Sequence, residues 1–451
     1  MSDESHFIAA MAADPDDDTP RLVFADWLDE HGQPERAEFI RLQCRPDRDD
    51  PAVSRRNEEL LQAHRGEWEA PLRALEAEVH FRRGFPYFLQ VDIARLAEYL
   101  SILALAPDWH LILARDHDAR DHDNGDPPPE PCSRLGSAPL SDRIRGLIFA
   151  WASWTWDELD AILTPPVIRA VRELRFGDDD AKEETLDWLV HLPLTLSVLG
   201  FGGDSYAGVG DEGCRVIANA PQFASLRGLE LTNNEIGPDG VAALATSPYL
   251  CGLRDLDLAG GSNSANMIGP EGAAHIAESD NFHQLESLNL VFNGILDAGF
   301  VALAESPRLP ALQSLNVHCN GVTDYGIRAL ARSEGLPALN WLNLCGARHD
   351  TGISAEGIRE LVNSPRMNRL TGLKLASNQI GNEGAFALAD APAARNLREL
   401  LVTGCGISYD GFVRMLESPN LAGVREFHLF ENPLTEDEAK SLKERYGGRV
   451  K

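Results

Sequence analysis

Few residues in this 451-residue chain have the types and spacing to do chemistry. Asp14, Asp16 and Asp18 alternate as calcium ligands do. A helix–loop–helix calcium site also needs glycine at its sixth position and glutamate at its twelfth. Counted from Asp14, those places hold Thr19 and Ala25. The run therefore reads as an acidic turn opening a helix, where carboxylates meet the positive end of the helix dipole. Asp116, His117, Asp118, Asp121, His122 and Asp123 are all metal-ligand types, but they fall in the polar, proline-bounded run Arg115 to Pro131. A metal site needs ligands held in place by regular structure, so a solvated loop is expected. His318 and Cys345 stand 27 residues apart, one period of the repeat that organises the chain. A Cys–His pair makes a thiolate nucleophile when a third group orients the imidazole. No third group can be assigned here, and binding contacts are expected instead. Arg348 is the one candidate for an arginine supplied to a partner enzyme. The chain has no G-x-S-x-G, P-loop, H-E-x-x-H or dinucleotide fingerprint. The expectation is no enzyme, no metal and no cofactor.

The elements that would hold such residues follow from a repeat. From residue 226 the pattern Leu-x-x-Leu-x-Leu-x-x-Asn-x-Ile-x-x-x-Gly recurs. Copies run through Leu226–Gly240, Leu285–Gly299, Leu312–Gly326, Leu370–Gly384 and Leu397–Gly411, the fifth with Cys405 in the asparagine place, and a last begins at Val424. Copies starting at Leu253 and Leu339 carry insertions that delay the next apolar position to Ile268 and Ile353, and both lack the asparagine at its expected place. Weaker copies start at Ile144, Val171 and Leu196. The Leu-x-Leu pair alternates with period two and predicts a short strand. The asparagine falls in the turn that follows, where its amide serves backbone groups that no strand partner reaches. Thr323, Ser354, Ser408 and Thr435 are N-cap types, and Thr435 with Glu438 forms a capping box. Apolar helical faces follow and stop at Ser-Pro or Ala-Pro, because the residue before proline is driven out of the helical region. One such unit cannot bury its own leucines; stacked units can.

On these residues the chain resembles the leucine-rich-repeat family, and its 27-residue step is similar to the ribonuclease-inhibitor-like subclass. The resemblance covers roughly residues 144–446, and residues 144–451 read as the repeats with a C-terminal capping helix at Thr435 to Tyr446. It implies an α/β solenoid, a horseshoe with a parallel inner sheet and outer helices, whose concave face binds protein. Residues 1–78 read as a small all-α domain. Helices are expected from Pro20 to His31, from Pro34 through Leu42, and from Val53 to Leu75. Thr19 to Gly32 and Arg36 to Gln43 resemble a bacterial repeat-companion domain, typically found ahead of leucine-rich repeats. Residues 79–143 read as a degenerate first repeat with the acidic loop.

Composition narrows the partners. Net charge is −29, which repels phosphate backbones, so nucleic acid is not expected. No stretch is long and apolar enough to span a membrane. Seven scattered cysteines without a CxxC pair, and an N-terminus without a secretory leader, point to a reduced cytoplasmic monomer. Strand alternation sends the residues between the leucines to the concave face. In the central four repeats none of these is acidic. Asn289, Val291, Asn316, His318, Trp341, Asn343, Cys345 and Lys374 are the expected contacts for a protein partner, with Trp341 as anchor. The asparagine row equally suits a ladder that solvates the sheet. The alternative to a binding module is a regulator of an enzyme, GTPase-activator-like or ubiquitin-ligase-like.

Overall fold

The computed structural model describes residues 3–48, 50–75, 79–92, 100–114, 130–138, 141–150, 154–177, 183–202, 208–261, 266–346 and 352–451. It divides into two compact units. One holds residues 1–180 with 192–196, the other residues 181–191 with 197–451.

The first unit opens with four helices: α1 (Asp3–Ala13), α2 (Thr19–Glu30), α3 (Pro34–Gln43) and α4 (Pro51–Trp68). Prolines stand in the first turn of α2, α3 and α4, where a missing N–H costs nothing. The first of these helices was not legible: Phe7, Ile8 and Met11 give barely one turn of periodicity. Asp18 rather than Thr19 is the N-cap of α2. The helix expected to reach Leu75 stops at Trp68 and passes into a tighter turn over Ala70–Leu75. Phe24, Phe39 and Ile40 form the core of this bundle. Residues Val79–Arg82 (β1) and Phe85–Asp92 (β2) form an antiparallel hairpin, and β3 (Trp109–Ala114), β4 (Ile144–Phe149) and β5 (Glu173–Phe176) follow β2 in parallel. The metal candidates from Asp116 to Asp123 lie outside the described residues. Asp16 and Asp18, offered above as calcium ligand types, face the Arg83 guanidinium at 3.5 and 3.4 Å.

The second unit is the solenoid. Its strands are β6 (Val198–Phe201), β7 (Gly228–Glu230), β8 (Asp255–Asp257), β9 (Ser287–Asn289), β10 (Ser314–Asn316), β11 (Trp341–Asn343), β12 (Gly372–Lys374) and β13 (Glu399–Leu401). All pair in parallel with the repeat leucines in register: Leu199, Leu229, Leu256, Leu288, Leu315, Leu342, Leu373 and Leu400. Each of these is at most 2% exposed, and full burial of such a side chain stabilises by about 1.5–3 kcal/mol. Behind the sheet, helices pack through small and apolar residues such as Gly299, Phe300 and Leu303.

Three side-chain ladders tie each repeat to the next. The first is the asparagine turn. Asn320 Oδ1 accepts from the backbone N–H of Asn293 (3.0 Å) and Ile295 (3.1 Å), and its Nδ2 donates to the Leu290 carbonyl at 2.6 Å. The same pattern places Asn293 against Leu258 and Asn378 against Leu344. The repeat starting at Leu253 lacks the asparagine at its expected place, where Gly261 stands, but supplies one five residues later. Asn266 is fully buried, donates to Leu231, Leu258 and Ala259, and accepts from the N–H of Asn234 and Ile236. The insertion enters ahead of the asparagine, so counting from the leucines misses it. Cys405 stands in for asparagine, its thiol donating to the Leu375 carbonyl at 3.0 Å. The second ladder is made by the serines that end the helices. Ser247, Ser279 and Ser306 donate to the carbonyls of Ala218, Ala245 and Ala277, one repeat back. The third is a carboxylate cap handed forward: Asp297 accepts from the N–H of Thr323 and Gly326, and Asp324 from those of Ser354 and Gly357.

Candidate functional site

In the solenoid unit the helices take one face of the sheet, and the other carries the residues between the leucines. Asn289, Asn316, Asn343 and Lys374 are half-buried there, each one register step from the next. Trp341 does not stand out from the sheet. Its ring lies against Gly372, where an added Cβ would come within 2.2 Å of Trp341 Cδ1. The indole Nε1–H donates to Glu399 Oε2 at 3.0 Å, Lys374 Nζ sits 5.1 Å from the ring centroid, and Lys374 pairs with Glu399 at 2.9 Å. Burial pushes the Glu399 carboxyl up, but the hydrogen bonds from Lys374 and Trp341 outweigh it and leave the group below its usual range. The indole is thus held in place before any partner arrives.

Toward β7 the same face turns acidic. Glu230, Asp255 and Asp257 project from adjacent strands. Burial raises the Asp255 carboxyl, and the neighbouring charges of Glu286 and Glu230 raise it further, with Arg254 opposing them. A shallow concavity of about 400 Å³ runs from these carboxylates past Asn289 and Asn316 to Trp341. At the edge where the strands turn, Met267, Phe292 and Leu296 are 76%, 48% and 52% exposed. Phe292 (φ 55°) and Leu296 (φ 53°) are both in the left-handed region. The position preceding the turn asparagine is left-handed in other repeats too, but there it holds Asn233, Cys319, Ser377, Gly404 or Glu431. The left-handed place filled by Leu296 holds glycine at Gly269 and Gly381. A bulky side chain in this conformation costs about 1–2 kcal/mol, and here the two side chains stay about half exposed.

A sequence profile described as Leucine Rich repeat matches residues 224–245, 283–304, 309–331 and 368–389. Those four segments contain strands and ladder asparagines already placed in register. Those segments are leucine-rich repeats. No curated protein sequence matches it. Among solved structures, an internalin from Listeria monocytogenes is similar over 82% of this chain and 88% of its own, at 15% identity and a TM-score of 0.40. TLR13, solved in complex with ssRNA13, is similar over 77% of this chain, at 16% identity and a TM-score of 0.43. The matched part is 43% of the TLR13 chain. Leucine-rich-repeat proteins generally act in protein–protein interaction and are typically non-enzymatic. Among the described residues, no helix is long and apolar enough to cross a membrane.

On this leucine-rich-repeat face the anticipated residues separate. Asn289, Val291, Asn316, His318, Trp341, Asn343 and Lys374 are half-buried on it or at its edge. Cys345 is not available: it is buried, its thiol pushed up to about 11 chiefly by that burial, and it offers no contact area. Nor do His318 and Cys345 pair through sulfur. The His318 Nδ1 lies 3.1 Å from the Cys345 carbonyl, which fixes the ring. The sulfur next to it belongs to Cys319, 3.6 Å from Nδ1 and 3.3 Å from Nε2. Near-equal distances to both nitrogens are those of a thiol resting on the ring face, not of a proton shared with one lone pair. Burial holds the His318 imidazolium pKa below its usual value, so at neutral pH the ring is uncharged. Phe292 packs edge-on against it at 5.4 Å. Arg348 lies outside the described residues. Sequence reasoning missed Phe292, Leu296 and Met267, although a bulky apolar residue beside the turn asparagine is a visible signal once glycine is expected there.

Proposed function

We propose that this leucine-rich-repeat protein binds a protein partner through the open face of β7–β12 and the edge beside it. Asn289, Asn316, His318, Trp341, Asn343 and Lys374 are the polar and aromatic contacts, with Val291 an apolar one beside them. Phe292 and Leu296 take an apolar side chain, and Glu230, Asp255 and Asp257 face basic residues of the partner. One observation carries this reading: two large apolar residues occupy left-handed positions in solvent where sibling repeats use small or polar ones. Strain of that kind is characteristic of functional surfaces. The chemistry of the face supports a protein, because the amide row offers directional hydrogen bonds and the fixed indole binds without rotamer loss. The seven thiols, all free among themselves, suit a reducing cytoplasm.

The test uses the full chain as bait, with quantitative mass spectrometry, followed by titration of the purified partner. The triple variant Trp341→Ala, His318→Ala, Asn343→Ala is expected to lose the partner. So is Phe292→Asn with Leu296→Gly, which relieves strain and leaves the fold at least as stable. Full binding by both variants overturns the site.

A further inference from the structure

The first unit contains a cleft of about 450 Å³ bounded by α3, α4 and the β1–β2 hairpin. That volume is in the range of small-ligand sites. Its charge runs against the whole chain, which has 41 basic and 70 acidic residues. Arg48, Arg82 and Arg83 line it against one carboxylate, Glu58. Nearby arginines are neutralised: Arg41 by Asp26 and Asp29, Arg45 by Asp47, Arg56 by Glu38, and Arg83 by Asp16 and Asp18. Arg48 and Arg82, by contrast, have no carboxylate at ion-pairing distance among the described residues, and both are exposed. The Arg82 guanidinium is held 5.9 Å from the centroid of the half-buried Tyr87 ring.

Two guanidiniums without a carboxylate partner among the described residues, and an aromatic ring beside them, make a consistent set. Guanidiniums match phosphate oxygens in geometry as well as charge. A half-buried ring accepts a planar base by stacking. We infer that this cleft binds a mononucleotide, with the phosphate on Arg48 and Arg82 and the base against Tyr87. Glu58 then stands as the one charge opposing the phosphate. This inference is independent of the sheet face, since every residue it uses is in the first unit.

The experiment is calorimetric titration of the full chain with AMP, adenosine and inorganic phosphate. AMP is expected to bind, with adenosine and phosphate each weaker. Arg82→Ala is expected to weaken AMP by about tenfold or more, the loss of one charged hydrogen bond, with the far-UV spectrum unchanged because the side chain is exposed. Glu58→Gln is expected to strengthen AMP, a gain that misfolding cannot mimic. Phosphate binding as tightly as AMP would make this a bare anion site and overturn the nucleotide assignment. No binding of AMP, or an Arg82→Ala variant that binds it unchanged, overturns the site itself.

Discussion

Replacing Asn320 by alanine tests whether the asparagine ladder, rather than strand pairing alone, holds successive repeats together. Four contacts disappear. The N–H groups of Asn293 and Ile295 lose their acceptor. The Leu290 carbonyl loses its donor. The His318 carbonyl loses one of two donors and keeps the Phe292 N–H at 3.0 Å. Three buried polar groups are therefore left unpaired, and Asn293 and Asn320 are each 2% exposed, so water does not readily replace the amide. At about 1–3 kcal/mol per orphaned group, the cost is about 3–9 kcal/mol. In a stacked array each repeat touches only its neighbours, so the damage should stay within the repeats on either side. The assay is native-state hydrogen exchange on the full chain. The amides of residues 293 and 295 should exchange at least about a hundredfold faster, the equivalent of the lower limit. Amides near β6 and β13 should keep their rates. Asn320→Asp retains the acceptor and should spare those two amides more than alanine does. A change under tenfold at residues 293 and 295 would refute the ladder account and leave strand pairing as sufficient.

The forward-handed cap gives a smaller effect. Asp324→Ala removes the acceptor for the Ser354 and Gly357 N–H groups and should destabilise the helix Ala355–Val362 by about 1–2 kcal/mol, read by hydrogen exchange. Gly372→Ala should tip the Trp341 ring off the sheet, giving red-shifted indole emission and weaker partner capture while the strand itself survives. The Glu399 contacts are lost on acidification. A carboxyl depressed in the folded state contributes stability that is present above its unfolded value and disappears as pH falls through the folded one. Trp341 emission, isolated by difference against Trp341→Phe, should therefore be flat at neutral pH and shift only as the pH falls below the usual glutamate range. A transition near pH 6 would assign the change to a histidine instead.

The period-two leucines, the turn asparagines and the Ser-Pro stops were enough to read the strands, the helices and their order. Even the weak copies at Ile144, Val171 and Leu196 correspond to β4, β5 and β6. These features are legible because burial and turn geometry repeat at fixed intervals. What escaped depends on contacts that spacing does not encode. Asn266 was hidden by an insertion placed before it. The serines were read as helix stops through proline, while their hydroxyls also bond the previous repeat. Trp341 was expected to project, but the absence of a side chain at Gly372, one strand and 31 residues away, lets it lie flat. Cys345 was placed on the face by alternation, which no longer holds once the chain has left the strand and begun to turn.

Asn266 also says where this array tolerates growth. The step from Leu253 to Leu285 is 32 residues where the common one is 27, yet the strands on either side keep their register. All of the extra length is absorbed between Leu258 and Asn266, ahead of the amide that fastens one turn to the next. That span is a natural graft port. A foreign peptide or a small domain with adjacent termini, spliced between Gly261 and Asn266, should be displayed at the rim without shifting any repeat downstream. The same cargo placed after the asparagine would push Ile268 out of the core and unseat the helix that follows.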